Sequence, residues 1–202
     1  SCGKMESASL EVRIVDPERL IDLGSDRVGE IWLAGPSVGA GYWDNPKATR
    51  STFDGRLEGS ELKYLRTGDL GFLHHGNIHI CGRIKEVIIV RGRNVFPSDV
   101  CAVVESEVEA MRGRRAAAFG VVGAEGEEIV IICAAKVSQD TYHAVAKRIT
   151  AALSAQVGVV PSTILFVQNR DLKRTTSGKV QHSALKKDYL AGLIEADFEV
   201  HN

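Results

Sequence analysis

Two hydrophobic patterns divide this chain, and the change between them near Gly82 limits its fold more than any other feature. Up to that point, β-prone runs alternate with irregular, glycine-broken connections. Beyond it, strand-like and helix-like stretches take turns. Leu10, Val12 and Ile14 stand at period two against Glu11 and Arg13, and Gly29-Glu30-Ile31-Trp32-Leu33 is a second β-prone run. Asn45 as cap and Pro46 at the first helical position predict a short helix over 45–52. Further strands are expected at Leu65–Gly71, His79–Cys81 and Glu86–Val90, the last followed by a hydrophilic knot, Arg91-Gly92-Arg93-Asn94. Ser98 precedes Val100, Val103, Val104 and Val108, which are spaced for a helix. A hairpin is predicted from 116–122 and 128–137 across Gly123–Glu127, then a helix over 141–156, a strand over 163–167, a polar loop over 168–181 and a helix over 183–193. No period of 20 to 50 residues is visible, which excludes a solenoid.

Charge narrows the partners. Across 202 residues, 25 Lys+Arg face 26 Asp+Glu, so the net charge of −1 supplies no field for nucleic acid or an anionic membrane. No apolar run approaches the roughly 18 residues of a membrane span, and Ser1 to Ser9 lacks a basic-then-apolar leader pattern. Cys2, Cys81, Cys101 and Cys133 are too scattered for a CxxC pair or a disulfide frame. A reduced, soluble, cytoplasmic chain is the expectation, with Cys81 as a buried apolar residue.

Positive charge is nevertheless concentrated in two places. Residues 83–93 carry Arg83, Lys85, Arg91 and Arg93 against Glu86, and residues 171–187 carry Lys173, Arg174, Lys179, Lys186 and Lys187 against Asp171. Such loops on a neutral chain point to a local phosphate site. Asp69, between Gly68 and Leu70, has the chemistry to accept hydrogen bonds from adjacent ribose hydroxyls, though bonding nearby turn amides is the commoner use of such an acid. Lys179 closes Thr175-Thr176-Ser177-Gly178-Lys179, a hydroxyl-rich loop expected to be flexible. It is not a Walker loop, because Val180 stands where Ser or Thr would hold magnesium. His74, His75 and His79 lack a third ligand and read as exposed hairpin histidines, so no metal site is expected. No spacing argues for a Ser–His–Asp or Cys–His nucleophile.

In order, Gly29-Glu30-Ile31-Trp32 through Gly41-Tyr42-Trp43 with Thr49 and Phe53, Arg66-Thr67-Gly68-Asp69-Leu70, Gly82-Arg83-Ile84-Lys85 and Ser177-Gly178-Lys179 resemble the adenylate-forming superfamily of acyl-CoA ligases, luciferases and peptide-synthetase adenylation domains. GRIKEVIIVRGRNVFPSDV and RTTSGKVQ are most similar to fatty acid–AMP ligases. The resemblance implies an α+β chain: residues 1–82 as the β-rich tail of the large adenylating domain, and 83–202 as a small mobile C-terminal lid. It implies that Asp69 holds the ribose with Arg83 nearby, that Lys85 is the hinge, that Gly92 lines the acceptor tunnel and that Lys179 is catalytic. ATP would be the cosubstrate, with Mg2+ held mainly by residues outside this chain. A fatty acid would be activated and passed to an acyl carrier protein or a polyketide or peptide synthase. Acyl-CoA ligase, peptide-synthetase adenylation domain and non-catalytic carrier-docking module are the alternatives. The missing phosphate loop and fatty-acid tunnel imply that the 202 residues alone are inactive. Cys101 stands where an acid is usual, and His75 where an aspartate is usual before Gly76.

Overall fold

The computed structural model describes residues 9–202 except 114, 124, 125, 136 and 137; Cys2 lies outside the described residues. It is an α+β chain that divides into two compact units, Ser1–Lys85 and Glu86–Asn202.

The first unit is an antiparallel sheet of β1 (Glu11–Val15), β2 (Gly29–Ala34), β3 (Leu65–His74) and β4 (Asn77–Arg83), in the order in which the chain makes them. Its apolar residues cover both faces: Val15, Trp32, Ala34, Leu57 and Tyr64 form one cluster, Val12, Ile14 and Ile31 the other. α1 (Pro46–Phe53) begins as the sequence predicts, with the Asn45 side chain accepting from the Ala48 N–H at 3.0 Å. The Gly41-Tyr42…Thr49…Phe53 run has a packing reason. Thr49 accepts from the Tyr42 N–H at 3.0 Å, Tyr42 meets Phe53 edge-on, and a Cβ on Gly41 would lie 2.3 Å from Thr49 Cγ2. β3 is longer than expected, running past Gly71 to His74, where His75-Gly76 closes a two-residue turn to β4 with both residues at positive φ. That geometry suits Asn, Asp or Gly, and His is among the few other side chains that tolerate it.

The second unit is built on a four-stranded sheet. Its strands are β7 (Ala116–Gly123), β8 (Gly126–Cys133), β9 (Thr163–Phe166) and β10 (Phe198–His201), with β8 and β9 parallel and the other pairs antiparallel. Consecutive apolar residues in β7 and β8 feed two cores. Ala116, Ala118, Ile129, Ile131 and Cys133 join α2 (Pro97–Glu107) and α3 (Tyr142–Gln156) on one face. Ala117, Phe119, Val130 and Ile132 join Leu185 of α4 (His182–Leu190) on the other. A sheet covered on both faces needs such unbroken runs. Two elements depart from the sequence reading. Arg93–Val95 is a strand, β6, paired with β5 (Ile88–Val90) across an Arg91-Gly92 turn, where polar residues suggested a knot. β10 was not expected. α2 starts at Pro97, one residue before Ser98.

Two of the three described cysteines are core residues. Cys101 and Cys133 are buried, whereas Cys81, expected to be buried, is half-buried. The Cys101 thiol donates to the Ala116 carbonyl at 3.4 Å, and burial, with the Glu105 charge adding to it, pushes its pKa up to about 12. Burial moves Cys133 in the same direction.

Two outcomes follow from the packing. A Cβ on Gly71 would lie 2.3 Å from the His79 carbonyl oxygen and 2.8 Å from Ile31 Cδ1, so Gly71→Ala should cost about 1–3 kcal/mol in a urea or thermal melt. The buried thiols stay protonated in the fold while the unfolded chain titrates near 9.0, so their contribution is complete below pH 9 and is lost as pH rises toward 12. Iodoacetamide at pH 8 should leave Cys101 and Cys133 unmodified in the native chain and label them after urea unfolding, read by peptide mass; labelling of the native thiols at the unfolded rate would contradict their burial.

Candidate functional site

In the first unit, the chemistry gathers where β3 leaves its ladder with β2. Glu30 pairs with Leu70 and Trp32 with Arg66, so Thr67, Gly68 and Asp69 stand opposite Ile31 alone. Strand pairing cannot satisfy the backbone of such a bulge, and side chains do it instead. The Thr67 hydroxyl donates to the Ile31 carbonyl at 2.7 Å and accepts from the Asp69 N–H at 3.0 Å. Glu30 Oε1 accepts from the Gly68 N–H at 3.1 Å. Glu30 Oε2 accepts from Arg66 Nε and Nη2 at 3.0 and 2.8 Å. Gly68 adopts φ +71°, which admits glycine without a Cβ penalty. Arg66 also lies over the Trp32 ring, 5.3 Å from its centroid.

The bulge lifts Asp69 out beside β4. Asp69 pairs in register with Arg83, and Arg83 Nε meets Asp69 Oδ1 at 3.0 Å, both side chains being partly open to solvent. The structure thus brings together Asp69 and Arg83, two of the predicted site residues. It also identifies a residue that site reasoning from sequence passed over as part of a motif. Glu30 is only 2% exposed, and a carboxylate is that deeply buried only when donors meet it. The signal was available: an acid inside the apolar run Gly29–Ala34.

Lys85 lies exposed in the 3-10 turn Ile84–Glu86, at the end of the first unit. Within the second unit, Gly92 sits exposed at φ +76° in the turn of the β5–β6 hairpin. A depression of 670 Å³ beside it is lined by Ile89, Arg91, Gly92, Arg93, Val160 and Pro161 among others. Lys179 stands on a loop that is clipped rather than loose. Gln181 N–H donates to the Lys173 carbonyl at 3.0 Å, Thr175 and Lys179 bond at 2.8 Å, and Gly178 N–H donates to Thr175 at 2.9 Å. Lys173 Nζ pairs with Asp188 of α4 at 2.5 Å, and buried Leu172 roots the loop in the core. Among the described residues, the exposed Lys179 side chain has no hydrogen-bond or ion-pair partner. A groove of 550 Å³ runs from it past Ser98, Glu105, Arg115 and His182.

The hairpin histidines are otherwise engaged. His74 Nδ1 lies 2.5 Å from Asp26, and His79 stacks on Phe72. Among the described residues, no group of three His, Cys, Asp or Glu side chains has the arrangement of a metal site. No helix among them is long and apolar enough to cross a membrane.

Residues 85–198 match the family described as Disco-interacting protein 2-like, AMP domain. A putative fatty-acid–CoA ligase, fadD21 of Mycobacterium leprae, is 40% identical over 190 residues, covering 88% of this chain and 32% of that protein. The medium-chain-fatty-acid–[acyl-carrier-protein] ligase JamA of Moorena producens is 35% identical over 199 residues, covering 96% and 33%. ATP-bound MatB from Rhodopseudomonas palustris superposes with a TM-score of 0.72 at 30% identity, over 92% of this chain and 35% of that one. The chain spans about a third of the length of the curated relatives it matches. With a family match over more than half its residues, and the four ordered motifs in place, this chain belongs to the Disco-interacting protein 2-like AMP domain family of the adenylate-forming superfamily.

Proposed function

We propose that this chain is the C-terminal part of an ATP-dependent fatty acid–AMP ligase, with its domains meeting near residues 82–85. The observation that carries the reading is the bulge that takes Asp69 off the β2 ladder while it stays paired with Arg83 of β4. A carboxylate there accepts from both ribose hydroxyls, and the guanidinium next to it donates to ribose or phosphate oxygen. The ATP-bound relative and the fatty-acid ligase names support the same chemistry.

In adenylation, a carboxylate oxygen of the fatty acid attacks the α-phosphorus of ATP. The new P–O bond forms as the bond to pyrophosphate breaks, and pyrophosphate leaves with its electron pair. Lys179, exposed and unpaired on a clipped loop, supplies a cation for the charge that builds on the α-phosphate and the attacking carboxylate. In transfer, a thiol attacks the acyl carbon, AMP departs, and the thiol proton goes to a base or to water. Lys85, at the end of the first unit, is the hinge that exchanges these two states, and Gly92 borders the path of the incoming thiol. Mg2+ accompanies ATP. No residue set among the described residues fits it, so no step is assigned to the metal. An acyl carrier protein is the acceptor, as in the name of the Moorena relative; coenzyme A is the second reading, on the name of the mycobacterial one. Testing coenzyme A and phosphopantetheinylated carrier protein side by side distinguishes them.

The decisive experiment separates the half-reactions in a polypeptide that joins these residues to the N-terminal two-thirds that the relatives carry. Lys179→Ala should slow acyl-adenylate formation by roughly two to three powers of ten, and leave transfer from pre-formed acyl-adenylate nearly unchanged. Asp69→Ala should weaken nucleotide binding and impair both steps. Equal loss of both steps in Lys179→Ala would show that the lysine is structural.

A further inference from the structure

Building on that reading, we infer that Glu30 is a positioning residue for the nucleotide, acting through the backbone that carries Asp69. The residue is only 2% exposed, yet the hydrogen bonds of its carboxylate end on Gly68 in the three-residue bulge and on Arg66 at its root. One oxygen fixes the Gly68 amide and the other fixes the Arg66 guanidinium, so one rigid group holds both sides of the point where β3 leaves the ladder. The hydrogen bonds that β2 would make to Thr67, Gly68 and Asp69 in a regular strand are replaced by this carboxylate and by the Thr67 hydroxyl. The direction of the Asp69 side chain follows from the two peptides before it: Glu30 holds the N–H of the Thr67–Gly68 peptide, and the Thr67 hydroxyl holds the N–H of the Gly68–Asp69 peptide. Arg66 is in turn kept from swinging toward Asp69, leaving Arg83 as the cation beside it. Charge-assisted bonds from a buried acceptor are the strong kind, and their loss is felt in full because the remaining donors stay buried or half-buried.

Glutamine has the same shape but carries one acceptor oxygen and an NH2 group. In Glu30→Gln, that NH2 must face either the Gly68 N–H or the Arg66 guanidinium, donor against donor. Glu30→Asp keeps the charge but is one methylene shorter, and reaches Arg66 or Gly68 without spanning both. The readout is ribose recognition, which a merely structural residue would not change selectively. In the full-length adenylating chain, kcat/KM is measured with ATP and with 2′,3′-dideoxy-ATP, for wild type, Glu30→Gln, Glu30→Asp and Asp69→Asn. Amide exchange at Gly68 is followed by NMR in the 202-residue chain. Wild type should prefer ATP. Asp69→Asn should abolish most of that preference, and both Glu30 variants should narrow it by roughly tenfold with faster Gly68 exchange. If the Glu30 variants lose activity toward both nucleotides by one factor, Glu30 is only structural and this inference falls while the ribose role of Asp69 stands. If Asp69→Asn keeps the wild-type preference, the ribose reading itself falls, and the inference with it.

Discussion

A buried carboxylate facing an interrupted β-ladder is the constraint on which the first unit turns. Leaving water is costly for an acid, and Glu30 meets that cost with three donors: two nitrogens of Arg66 and the amide of Gly68. One of those donors, the Gly68 amide, is itself a group that the bulge would otherwise leave unpaired. Ladder defect and buried charge therefore stabilise each other. The consequence is chemical. A regular strand would hold residue 69 against β2 as well, whereas the bulge frees it from β2 and leaves it paired with Arg83 of the neighbouring strand. Gly68 at positive φ, the Thr67 hydroxyl bridging Ile31 and Asp69, and the close approach of Gly71 to His79 all belong to this arrangement.

The second unit solves a different problem. β7 is the edge of its sheet, and side chains meet its outward groups: Glu105 accepts from the Ala116 N–H, Cys101 donates to the Ala116 carbonyl, and His182 Nδ1 lies 3.0 Å from the Ala118 carbonyl. Cys101, in place of the acid usual there, thus has work in the core as a neutral thiol. The same region carries the Lys179 loop, whose base is tied to α4 by Lys173 and Asp188. A lysine that is to offer charge to a substrate has to stay unpaired while its backbone is held. The clipped turn achieves both.

Much of this was legible from residues alone. α1 could be placed because Asn45 and Pro46 are strong local signals, and the Ile129–Cys133 part of β8 because a strand covered on both faces needs an unbroken apolar run. What escaped has physical reasons. β6 is three residues with two polar side chains, so periodicity had nothing to register; the Arg91-Gly92 dipeptide, a pair that can take two positive φ values, was the usable sign. β10 is a short strand whose Phe198 and Val200 alternate with Glu199 and His201, too brief to stand out. The bulge was invisible because it is a matter of register between strands far apart in sequence. Glu30 was legible only as an oddity, since its partners lie more than 35 residues away. The pairing of Asp69 with Arg83, by contrast, follows once β3 and β4 are seen as a hairpin closed by His75-Gly76.

The ribose role proposed for Asp69 rests on the ladder defect at Thr67–Asp69. The most direct measurement is a crystal structure of the full-length adenylating chain with a non-hydrolysable acyl-adenylate analogue. Both ribose hydroxyls should lie within about 3 Å of the Asp69 carboxylate, with the Glu30–Arg66 and Glu30–Gly68 bonds unchanged. A ribose bound elsewhere, with Asp69 still turned to Arg83 and solvent, would contradict it.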